Sequence, residues 1–363
     1  MKNFFLIYLL FFSPLFLISA ESFIPEPPSV NANNYILLDA VSGRVLAEKG
    51  ADEQAEPASL TKIMTGYVVA DQIQKGYIGM EDEVYISENC WRKEGSRMYV
   101  EVDTLVAVSE LIKGMVIQSG NDASCALAEH VASSEEGFIQ LMSVYIKDMG
   151  LTNTNFVNVT GWPDPNHYSS ARDLATLSNA LITNFPEHYA LYKEKYFTHN
   201  DIEQPNRNSL LWQDDSIDGM KTGHTKSAGY CQITSGVRND TRLIAVTLKS
   251  DSQKQRLTDS RRLIDYGFRY FRTKKILSKG KILREEAVWG GELEAVSLSP
   301  SEDVFLTLSP RDFKRVEPVL ELNDYLQAPI VQSQVVGKIN LSLDGEIIES
   351  VDLISLTEVS ALG

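Results

Sequence analysis

The pattern of apolar residues changes once along the chain, just after Phe271. Before this point, apolar residues recur at helical spacing in several long segments and at alternating spacing in a few short ones. After Thr273–Lys281, a lysine-rich stretch interpreted as a linker, only short alternating runs separated by turn residues follow. The 363 residues are enough for two hydrophobic cores. The sequence therefore predicts an α/β domain of the α+β type, residues 21–272, with helices on a largely antiparallel sheet, and a small all-β, sandwich-like domain, residues 273–363.

Individual elements follow from the same periodicities and from the turn residues between them. A hairpin is predicted from Tyr35–Asp39 and Val45–Glu48, and further strands at Tyr230–Gly236 and Thr241–Lys249. Helices are predicted from Ser59 to Ile73 and at Val108–Gln118, Asp122–Val131, Phe138–Met149, 170–184 and Arg256–Phe271. In the second domain, strands are predicted at Glu286–Trp289, Val304–Leu308, Val335–Leu341 and Ile347–Leu356.

The chain is acidic, with a net charge of −15 at pH 7, and no cluster of lysine or arginine stands out. Nucleic-acid binding requires a basic face that neutralises phosphates, so no nucleic-acid partner is expected. The same charge gives no attraction to anionic lipid. The five histidines are scattered, with no pair at ligand spacing. We therefore expect neither a metal nor a cofactor.

The first twenty residues are typical of a secretory signal. Lys2 supplies a positive start, Phe4–Ile18 is an apolar run interrupted by Ser13-Pro14, and Ser19-Ala20 is a suitable cleavage edge. The alternative is an uncleaved anchor, since Ile18 is large for its place before that edge. We expect an exported protein.

Only three cysteines occur, Cys90, Cys125 and Cys231. An odd number cannot form a fully paired disulfide framework. Cys125 and Cys231 lie in apolar contexts, which predicts that both are buried packing groups. None of the three has an activating partner nearby in the sequence, so none is a candidate nucleophile.

Ser59 and Lys62 open the first long predicted helix. Residues three apart on a helix lie on one face, so the amine can reach the hydroxyl. If burial or a second cation lowers the pKa of the lysine, its neutral amine can accept the serine proton. The helix N-terminus also favours the negative charge that develops there. By itself the pair is more typical of an N-cap serine, and Ser278-Lys279-Gly280-Lys281 shows the same spacing without a following helix.

Two further short strings can complete such a site. Ser119-Gly120-Asn121 lies between two apolar helices, where its serine can pass a proton and its amide can hold a substrate, although the string also suits a helix cap. Lys221-Thr222-Gly223 precedes a strand pair, which predicts an edge strand beside the site. There the lysine offers charge, the threonine a hydroxyl, and the glycine close approach of a substrate backbone. The alternative for this string is a solvated turn.

The three strings occur in the order serine–lysine, serine–asparagine and lysine–threonine–glycine, each in a suitable local structure. This motif set is shared by class A β-lactamases and penicillin-binding proteins. From Tyr35 to about Glu358 the chain resembles the low-molecular-mass penicillin-binding proteins of class C type 5, the serine-type D-alanyl-D-alanine carboxypeptidases. The resemblance rests on the three strings with their neighbours, Pro57–Lys62, Gln118–Ala123 and Asp218–Thr225, and on Ser169–Asp173, Gln204–Asn208 and Tyr266–Phe271.

The resemblance implies a penicillin-binding/β-lactamase-like transpeptidase fold and a catalytic role for five residues. Ser59 is expected to be the acylated nucleophile and Lys62 its base. Ser119 is expected to relay a proton toward the leaving D-alanine, and Asn121 to hold the substrate backbone. Lys221 is expected to tune the site electrostatically.

The resemblance also implies a substrate-binding set. Backbone N–H groups of Ser59 and His224 are expected to form the oxyanion hole. Thr222 and Gly223 are expected to lie against the substrate. Arg256 matches the family arginine that pairs with the free carboxylate of the substrate, and the alternative is a surface helix charge.

The expected substrate is a peptidoglycan pentapeptide ending in D-Ala-D-Ala, with β-lactams as covalent inhibitors. Relatives usually end in an amphipathic helix that lies on the inner membrane, whereas this sequence stops at Ala361-Leu362-Gly363 without one. We expect a soluble periplasmic protein, or one peripheral on the inner membrane if the natural chain continues. Gly161-Trp162-Pro163 also differs from the commoner form at the site rim, which can alter substrate preference.

Other protein classes that could explain these strings require other residues in the sequence. A β-lactamase with the same three strings needs an added glutamate shortly before Leu-Asn, and none lies between the second and third strings. A non-catalytic wall-binding module would not need Ser59, Lys62 and Lys221 together. A Ser-His-Asp hydrolase usually shows Gly-x-Ser-x-Gly, which is absent from the sequence. These comparisons favour the carboxypeptidase.

Overall fold

A five-stranded antiparallel sheet forms the centre of the first domain in the computed structural model, which describes residues 24–363. The strands of this domain are β1 (Asn34–Asp39), β2 (Val45–Lys49), β3 (Glu83–Tyr85), β4 (Leu105–Ala107), β5 (Tyr196–His199), β6 (Ile202–Pro205), β7 (Ile217–Thr225), β8 (Gly229–Arg238) and β9 (Thr241–Ser250). The central sheet has the order β2-β1-β9-β8-β7, which confirms the predicted hairpin of β1 and β2, pairs the predicted strands β8 and β9, and places β7 at an edge. The predicted secretory signal, residues 1–20, lies outside the described residues.

Helices cover both faces of this sheet. They are α1 (Lys62–Gln74), α2 (Glu88–Trp91), α3 (Val108–Lys113), α4 (Asn121–Ala132), α5 (Glu135–Asp148), α6 (Ala171–Asn184), α7 (Pro186–Tyr189) and α8 (Gln253–Tyr270). Successive strand residues point to opposite faces, so Ile36 and Leu38 pack into the core built from α1 and α3 to α6. Leu37 packs into a second core with Leu263 and Ile264 of α8. Within residues 24–363, no helix combines the length and the apolar character needed to cross a bilayer.

Three predicted helix starts and one helix end differ from the structure by three residues or more; one of these starts is Phe138, since α5 begins at Glu135. Ser59 lies in a 3₁₀ turn, Ala58–Thr61, and the α-helix proper begins at Lys62. The helix predicted over Val108–Gln118 is α-helical only to Lys113 and ends in a π-helical turn. The last helix begins three residues before Arg256, because the side chain of Ser252 accepts a hydrogen bond from Gln255 N and caps it.

The second domain is a five-stranded antiparallel sheet with a two-stranded ladder. Its strands are β10 (Arg272–Leu277), β11 (Arg284–Ala287), β12 (Ala295–Pro300), β13 (Val304–Leu308), β14 (Val316–Leu322), β15 (Val335–Leu343) and β16 (Glu346–Ser355). The sheet order is β11-β12-β16-β15-β14, and β10 pairs with β13. All four predicted strands are present, whereas β10, β12 and β14 were not predicted.

The interpretation of Thr273–Lys281 as a linker is wrong, because most of it is β10. Thr273 and Leu277 are buried while the two adjacent lysines between them are exposed, so no simple alternation marks the strand. Thr273 Oγ1 donates a hydrogen bond to Asp39 Oδ2 at 2.6 Å, and the Ser42 and Thr307 hydroxyls lie 2.6 Å apart. The second domain therefore contacts the turn between β1 and β2 directly.

Cys125 on α4 is buried in the core, as predicted, but the sequence did not reveal that it forms a disulfide with Cys90 on α2. The two residues are 35 positions apart, and only the packing of the short helix α2 against α4 brings their α-carbons to 5.2 Å. Cys231 is free and buried, which confirms its prediction. The disulfide thus fixes the segment that follows α2 to the helix that carries Asn121.

Candidate active site

Most of the residues singled out by the sequence line one cavity of about 640 Å³. The cavity lies between the turn before α1, the break before α4, the edge strand β7 and the first turns of α8. The predicted residues on its wall are Ser59, Ser119, Thr222, Gly223, His224 and Arg256. The three short sequence strings therefore converge in space, as expected.

Lys62 lies at the floor of this arrangement and touches the hydroxyl of Ser59. Its Nζ donates to Ser59 Oγ at 3.1 Å, to Asn121 Oδ1 at 2.7 Å and to the Thr160 carbonyl at 2.7 Å. The side chain is only 1% exposed. Burial lowers the pKa of Lys62 to about 7; the Asp122 carboxylate opposes this shift and the Arg207 cation adds to it. A neutral amine beside Ser59 is therefore accessible near neutral pH.

The alternative interpretation of Ser59 as an N-cap does not fit its contacts. Neither residue that precedes the 3₁₀ turn or α1 makes a side-chain cap, and the Ser59 hydroxyl is engaged by Lys62. Ser59 lines the open cavity, so its oxygen faces both a base and space for a ligand. This pairing is what an activated serine nucleophile requires.

Two glycines allow neighbouring segments to approach the backbone of Ser59. A β-carbon on Gly161, whose φ is +84°, would lie 1.8 Å from the Ala58 carbonyl oxygen and 2.9 Å from Ser59 N. A β-carbon on Gly223 would lie 3.0 Å from the Pro57 oxygen and 3.1 Å from Ser59 N. The strand β7 and the loop around Gly161 therefore close on the turn from two sides and fix the direction of the Ser59 N–H group.

Ser119 has an unusual backbone and an unpaired hydroxyl. Its φ is 68°, in the left-handed region, directly after the π-helical turn. Its Oγ is buried without a hydrogen-bond partner among the described residues, although the residue lines the cavity. A buried hydroxyl of this kind can bind a substrate group or pass a proton.

Asn121 holds Lys62 in this structure. Its Oδ1 accepts from Lys62 Nζ, and its Nδ2 donates to the Glu94 carbonyl at 2.5 Å. Both ends of the amide thus have protein partners, so the predicted contact with the substrate requires one of them to be exchanged. Asp122 supports the same segment, since its carboxylate accepts from the backbone N–H groups of Met98 and Tyr99.

Lys221 is the second buried amine of the site, on β7. Its Nζ donates to the Thr222 carbonyl at 3.1 Å. Burial holds the pKa of Lys221 well below its usual range, and the nearby charges of Lys62, Arg207 and Arg256 lower it further. The Lys62 cation therefore disfavours a second charge on Lys221, and the site does not favour two protonated amines at once.

Arg256 is not a surface charge, so that alternative is wrong. It is 6% exposed and its Nη1 donates to the Gly223 and Cys231 carbonyls at 3.3 and 3.4 Å, while its Nε has no partner among the described residues. The guanidinium lies 5.7 Å from the Tyr230 ring centroid. A buried arginine with an unused donor at a cavity wall is suited to an anionic ligand.

Sequence reasoning missed the role of Arg207, although the segment Gln204–Asn208 was part of the resemblance. Arg207 lines the same cavity, and its Nε donates to the Gln118 carbonyl at 3.0 Å. Its cation lowers the pKa of both Lys62 and Lys221. No local pattern marks this residue, because its neighbours in the site come from distant parts of the chain.

Comparison with known proteins gives consistent matches over nearly the whole chain. Residues 21–252 match the family model described as D-alanyl-D-alanine carboxypeptidase, and residues 271–361 match the C-terminal domain of penicillin-binding protein 5. The chain is 41% identical to the D-alanyl-D-alanine carboxypeptidase DacA of Haemophilus influenzae, covering 96% of this chain and 91% of the relative. It is 42% identical to DacC of Escherichia coli, covering 93% and 86%.

Solved structures show the same similarity in three dimensions. Penicillin-binding protein 5 from Haemophilus influenzae has a TM-score of 0.88 and 41% identity, over 92% of this chain and 99% of that one. Penicillin-binding protein 6B from Escherichia coli has a TM-score of 0.77 and 34% identity, over 92% and 98%. The expected transpeptidase fold with an all-β second domain is confirmed.

Proposed function

This chain belongs to the D-alanyl-D-alanine carboxypeptidase family of penicillin-binding proteins, and we propose that Ser59 is the nucleophile with which it removes the terminal D-alanine of peptidoglycan pentapeptides. It is a serine-type D-Ala-D-Ala carboxypeptidase. The observation that carries the assignment is the contact of 3.1 Å between Ser59 Oγ and the buried Lys62 amine. The domain division at residues 272 and 273 is part of the same proposal.

Acylation begins when neutral Lys62 accepts the Ser59 proton and the serine oxygen attacks the carbonyl carbon between the two D-alanines. Negative charge develops on the carbonyl oxygen, where the backbone N–H groups of Ser59 and His224 donate to it. The close approach of Gly161 and Gly223 to the Ser59 backbone fixes this donor before substrate arrives. Fixed donors of this kind stabilise the transition state without rearrangement.

The tetrahedral intermediate collapses when the bond to the leaving nitrogen breaks. The proton held by Lys62 passes through the Ser119 hydroxyl to that nitrogen, so D-alanine leaves as an amine and an ester remains on Ser59. The unpaired, buried Oγ of Ser119 supports this relay. Water then attacks the ester with Lys62 again as base, which releases the shortened peptide and restores Ser59.

β-Lactams place a strained amide in the same position, so they acylate Ser59 in the same way. Their carboxylate takes the place of the free C-terminus of the peptide. Thr222 and Gly223 lie along the edge strand β7, and Arg256 lies behind them, which supports recognition of that carboxylate.

Replacing Arg256 by alanine tests the carboxypeptidase assignment. Arg256→Ala is expected to lower kcat/KM for D-Ala release from an acetylated D-Ala-D-Ala peptide about tenfold to a hundredfold, because a charge-assisted contact is lost. Hydrolysis of a matched ester without a carboxylate should fall less than threefold, about the scatter expected for a contact that the ester never makes. Arg261→Ala, an exposed position on the same helix, is the control. Equal losses on peptide and ester contradict the role.

We infer that the chain is exported and acts in the periplasm, with its β-domain as a spacer or partner-binding platform. The predicted signal at residues 1–20 and the Cys90–Cys125 disulfide, a bond typical of oxidising compartments, support this inference. The alternative is peripheral attachment to the inner membrane, and cell fractionation distinguishes it from a free periplasmic protein.

The number of cysteines with a free thiol shows whether the chain has been exported. Alkylation of the full chain under denaturing conditions should modify one cysteine, Cys231, whereas a variant that lacks residues 2–20 should stay in the cytoplasm with three modified cysteines. Mass spectrometry of both proteins, with osmotic-shock and detergent fractions, checks the result. Recovery of the full chain in the cytoplasm with three free thiols contradicts export.

A further inference from the structure

His167 is a buried histidine that the catalytic steps above do not use. The side chain is 2% exposed and stacks on the Phe156 ring, with the ring centroids 5.2 Å apart. Its Nδ1 accepts a hydrogen bond from the backbone N–H of Val157 at 3.0 Å. Burial lowers the pKa of His167 to about 4, so the ring is neutral near pH 7. Because a backbone N–H can only donate, Nδ1 carries no proton and the single ring proton is on Nε2.

The ring begins a directed chain of two hydrogen bonds that ends on the backbone before the nucleophile. His167 Nε2 donates to Thr61 Oγ1 at 2.8 Å, and the Thr61 hydroxyl in turn donates to the Ala58 carbonyl at 2.9 Å. All three residues are buried. Hydrogen bonds in a chain polarise one another, and more so where water is excluded, so the two bonds together draw electron density toward the Ala58 oxygen.

The Ala58 carbonyl and the Ser59 N–H group belong to one peptide unit. In a planar trans peptide these two groups point in opposite directions, so a contact that fixes the carbonyl also fixes the N–H. The carbonyl oxygen faces the Thr61 hydroxyl and the α-carbon of Gly161, where an added β-carbon would lie 1.8 Å from it. The N–H group therefore points away from both, and electron density drawn to the oxygen makes this N–H a stronger donor.

The backbone of Ala58 needs this support. Its φ is 48°, in the left-handed region that residues with a β-carbon rarely adopt. A strained conformation of this kind persists only where the surrounding structure holds it. The Thr61 hydroxyl bonds the carbonyl of this strained residue, and His167 fixes the direction of that hydroxyl.

We propose that His167 and Thr61 are positioning residues of the oxyanion hole, which orient and polarise the Ser59 N–H group through the carbonyl of the same peptide. The proposal rests on the proposed function, since it requires this N–H to receive the developing oxyanion. Neither side chain lines the cavity at Ser59. Both therefore act through the strength and direction of one backbone donor.

The carbonyl stretch of the penicillin ester on Ser59 reports this donor directly. In infrared difference spectra with penicillin isotope-labelled at its lactam carbonyl, the band of Thr61→Val should lie at higher wavenumber than that of the unaltered protein, because a weaker donor polarises the ester less. The maximal acylation rate should fall about tenfold, less than the loss of a complete oxyanion donor causes. Thr61→Ser keeps the hydroxyl and should restore the band and most of the rate.

His167 is tested by the same two measurements. His167→Leu should shift the band in the same direction and slow acylation, whereas His167→Gln should recover most of both, since its amide can accept from Val157 and donate to Thr61. Because the two residues act in series, their losses should not multiply. The double variant Thr61→Val/His167→Leu should acylate at a rate within about twofold of the slower single variant.

Thr65→Val is the matched control. Thr65 is a buried threonine on α1 whose hydroxyl donates to the Val159 carbonyl at 2.8 Å, so the variant also loses a buried hydrogen bond but leaves the peptide before Ser59 untouched. Its ester band should stay in place even where its melting temperature falls as far as that of Thr61→Val. The pH of half-maximal acylation should stay near 7 in all these variants, because hydration of Lys62 by a loosened site would raise it.

The remaining outcomes have separate meanings. An unshifted band in both Thr61→Val and His167→Leu overturns the proposal, and so does an equal shift in Thr65→Val. Losses that multiply in the double variant refute action in series. Absence of a penicillin ester on Ser59 in the unaltered protein overturns the proposed function, and this proposal with it.

Discussion

Ser59→Ala should form no covalent adduct with penicillin and should lower D-Ala release about 10⁴-fold or more, since nothing else in the cavity can replace the nucleophile. Ser119 lines the same cavity, but its hydroxyl has no hydrogen-bond partner among the described residues, whereas Ser59 Oγ accepts a hydrogen bond from Lys62. Intact-mass measurement after incubation should show a gain of one drug molecule in the unaltered protein and none in the variant.

The chain provides its own matched control for this experiment. Ser278 and Lys281 repeat the spacing of Ser59 and Lys62, but they lie after β10, outside any helix, and they do not line the cavity at Ser59. Ser278→Ala should therefore label and turn over like the unaltered protein. An adduct that survives Ser59→Ala would place the nucleophile elsewhere and would refute the assignment.

The part of the site that sequence could predict is the part set by local geometry. Ser59 and Lys62 are three residues apart, so one helical turn brings them together whatever the rest of the fold does. Lys221 precedes an obvious strand pair, and its position on an edge strand followed from that pattern. The order of the three strings then limited the possibilities to a family whose fold was already known.

The rest of the site depends on contacts between distant segments. Thr160 and Asn121 hold the Lys62 amine from 98 and 59 positions away, and no periodicity predicts either contact. The need for glycine at position 161 becomes visible only when a β-carbon is placed against Ala58. A glycine in a sequence does not show which backbone approaches it, so this residue was noted only as part of a divergent segment.

The missed disulfide and the missed strand have the same physical origin. Cys125 was interpreted as a packing group because its neighbours in sequence are apolar, while its partner Cys90 lies on a four-residue helix with no periodicity to detect. β10 was missed because two adjacent exposed lysines, Lys274 and Lys275, lie between the buried Thr273 and Leu277, so no simple alternation marks the strand. In both cases the tertiary partner, and not the local pattern, determines the structure.

The acylation rate should rise with pH and reach half its maximum near pH 7, because Lys62 acts as a base only when neutral. Its pKa is lowered to about 7 by burial, so the amine is protonated below this pH and free above it. The rate should therefore decrease about tenfold per pH unit below the midpoint and be about a hundredfold lower at pH 5 than on the plateau. Stopped-flow measurement of acylation by a fluorescent penicillin gives this profile directly.

Removing the amine of Lys62 should abolish the pH dependence of acylation and most of the acylation rate. Lys62→Met keeps an unbranched side chain in the buried position and should slow acylation about 10³-fold, with no remaining dependence on a group near pH 7. Lys281→Met, the lysine of the repeated spacing, should leave rate and profile unchanged. A Lys62→Met enzyme that keeps the same pH midpoint would show that another group is the base.

The pH at which acylation reaches half its maximal rate tests whether neighbouring charges set the pKa of Lys62. This test is independent of whether Lys62 acts as the base. The Arg207 cation lowers the pKa of Lys62, whereas the Asp122 carboxylate raises it. Arg207→Ala should therefore move the midpoint to higher pH, and Asp122→Asn should move it to lower pH, whatever each does to the plateau rate. Because the two shifts have opposite signs, a general loosening of the fold cannot produce both. If both variants move the midpoint in the same direction, burial and not these charges determines the pKa, and the role assigned to Arg207 is wrong.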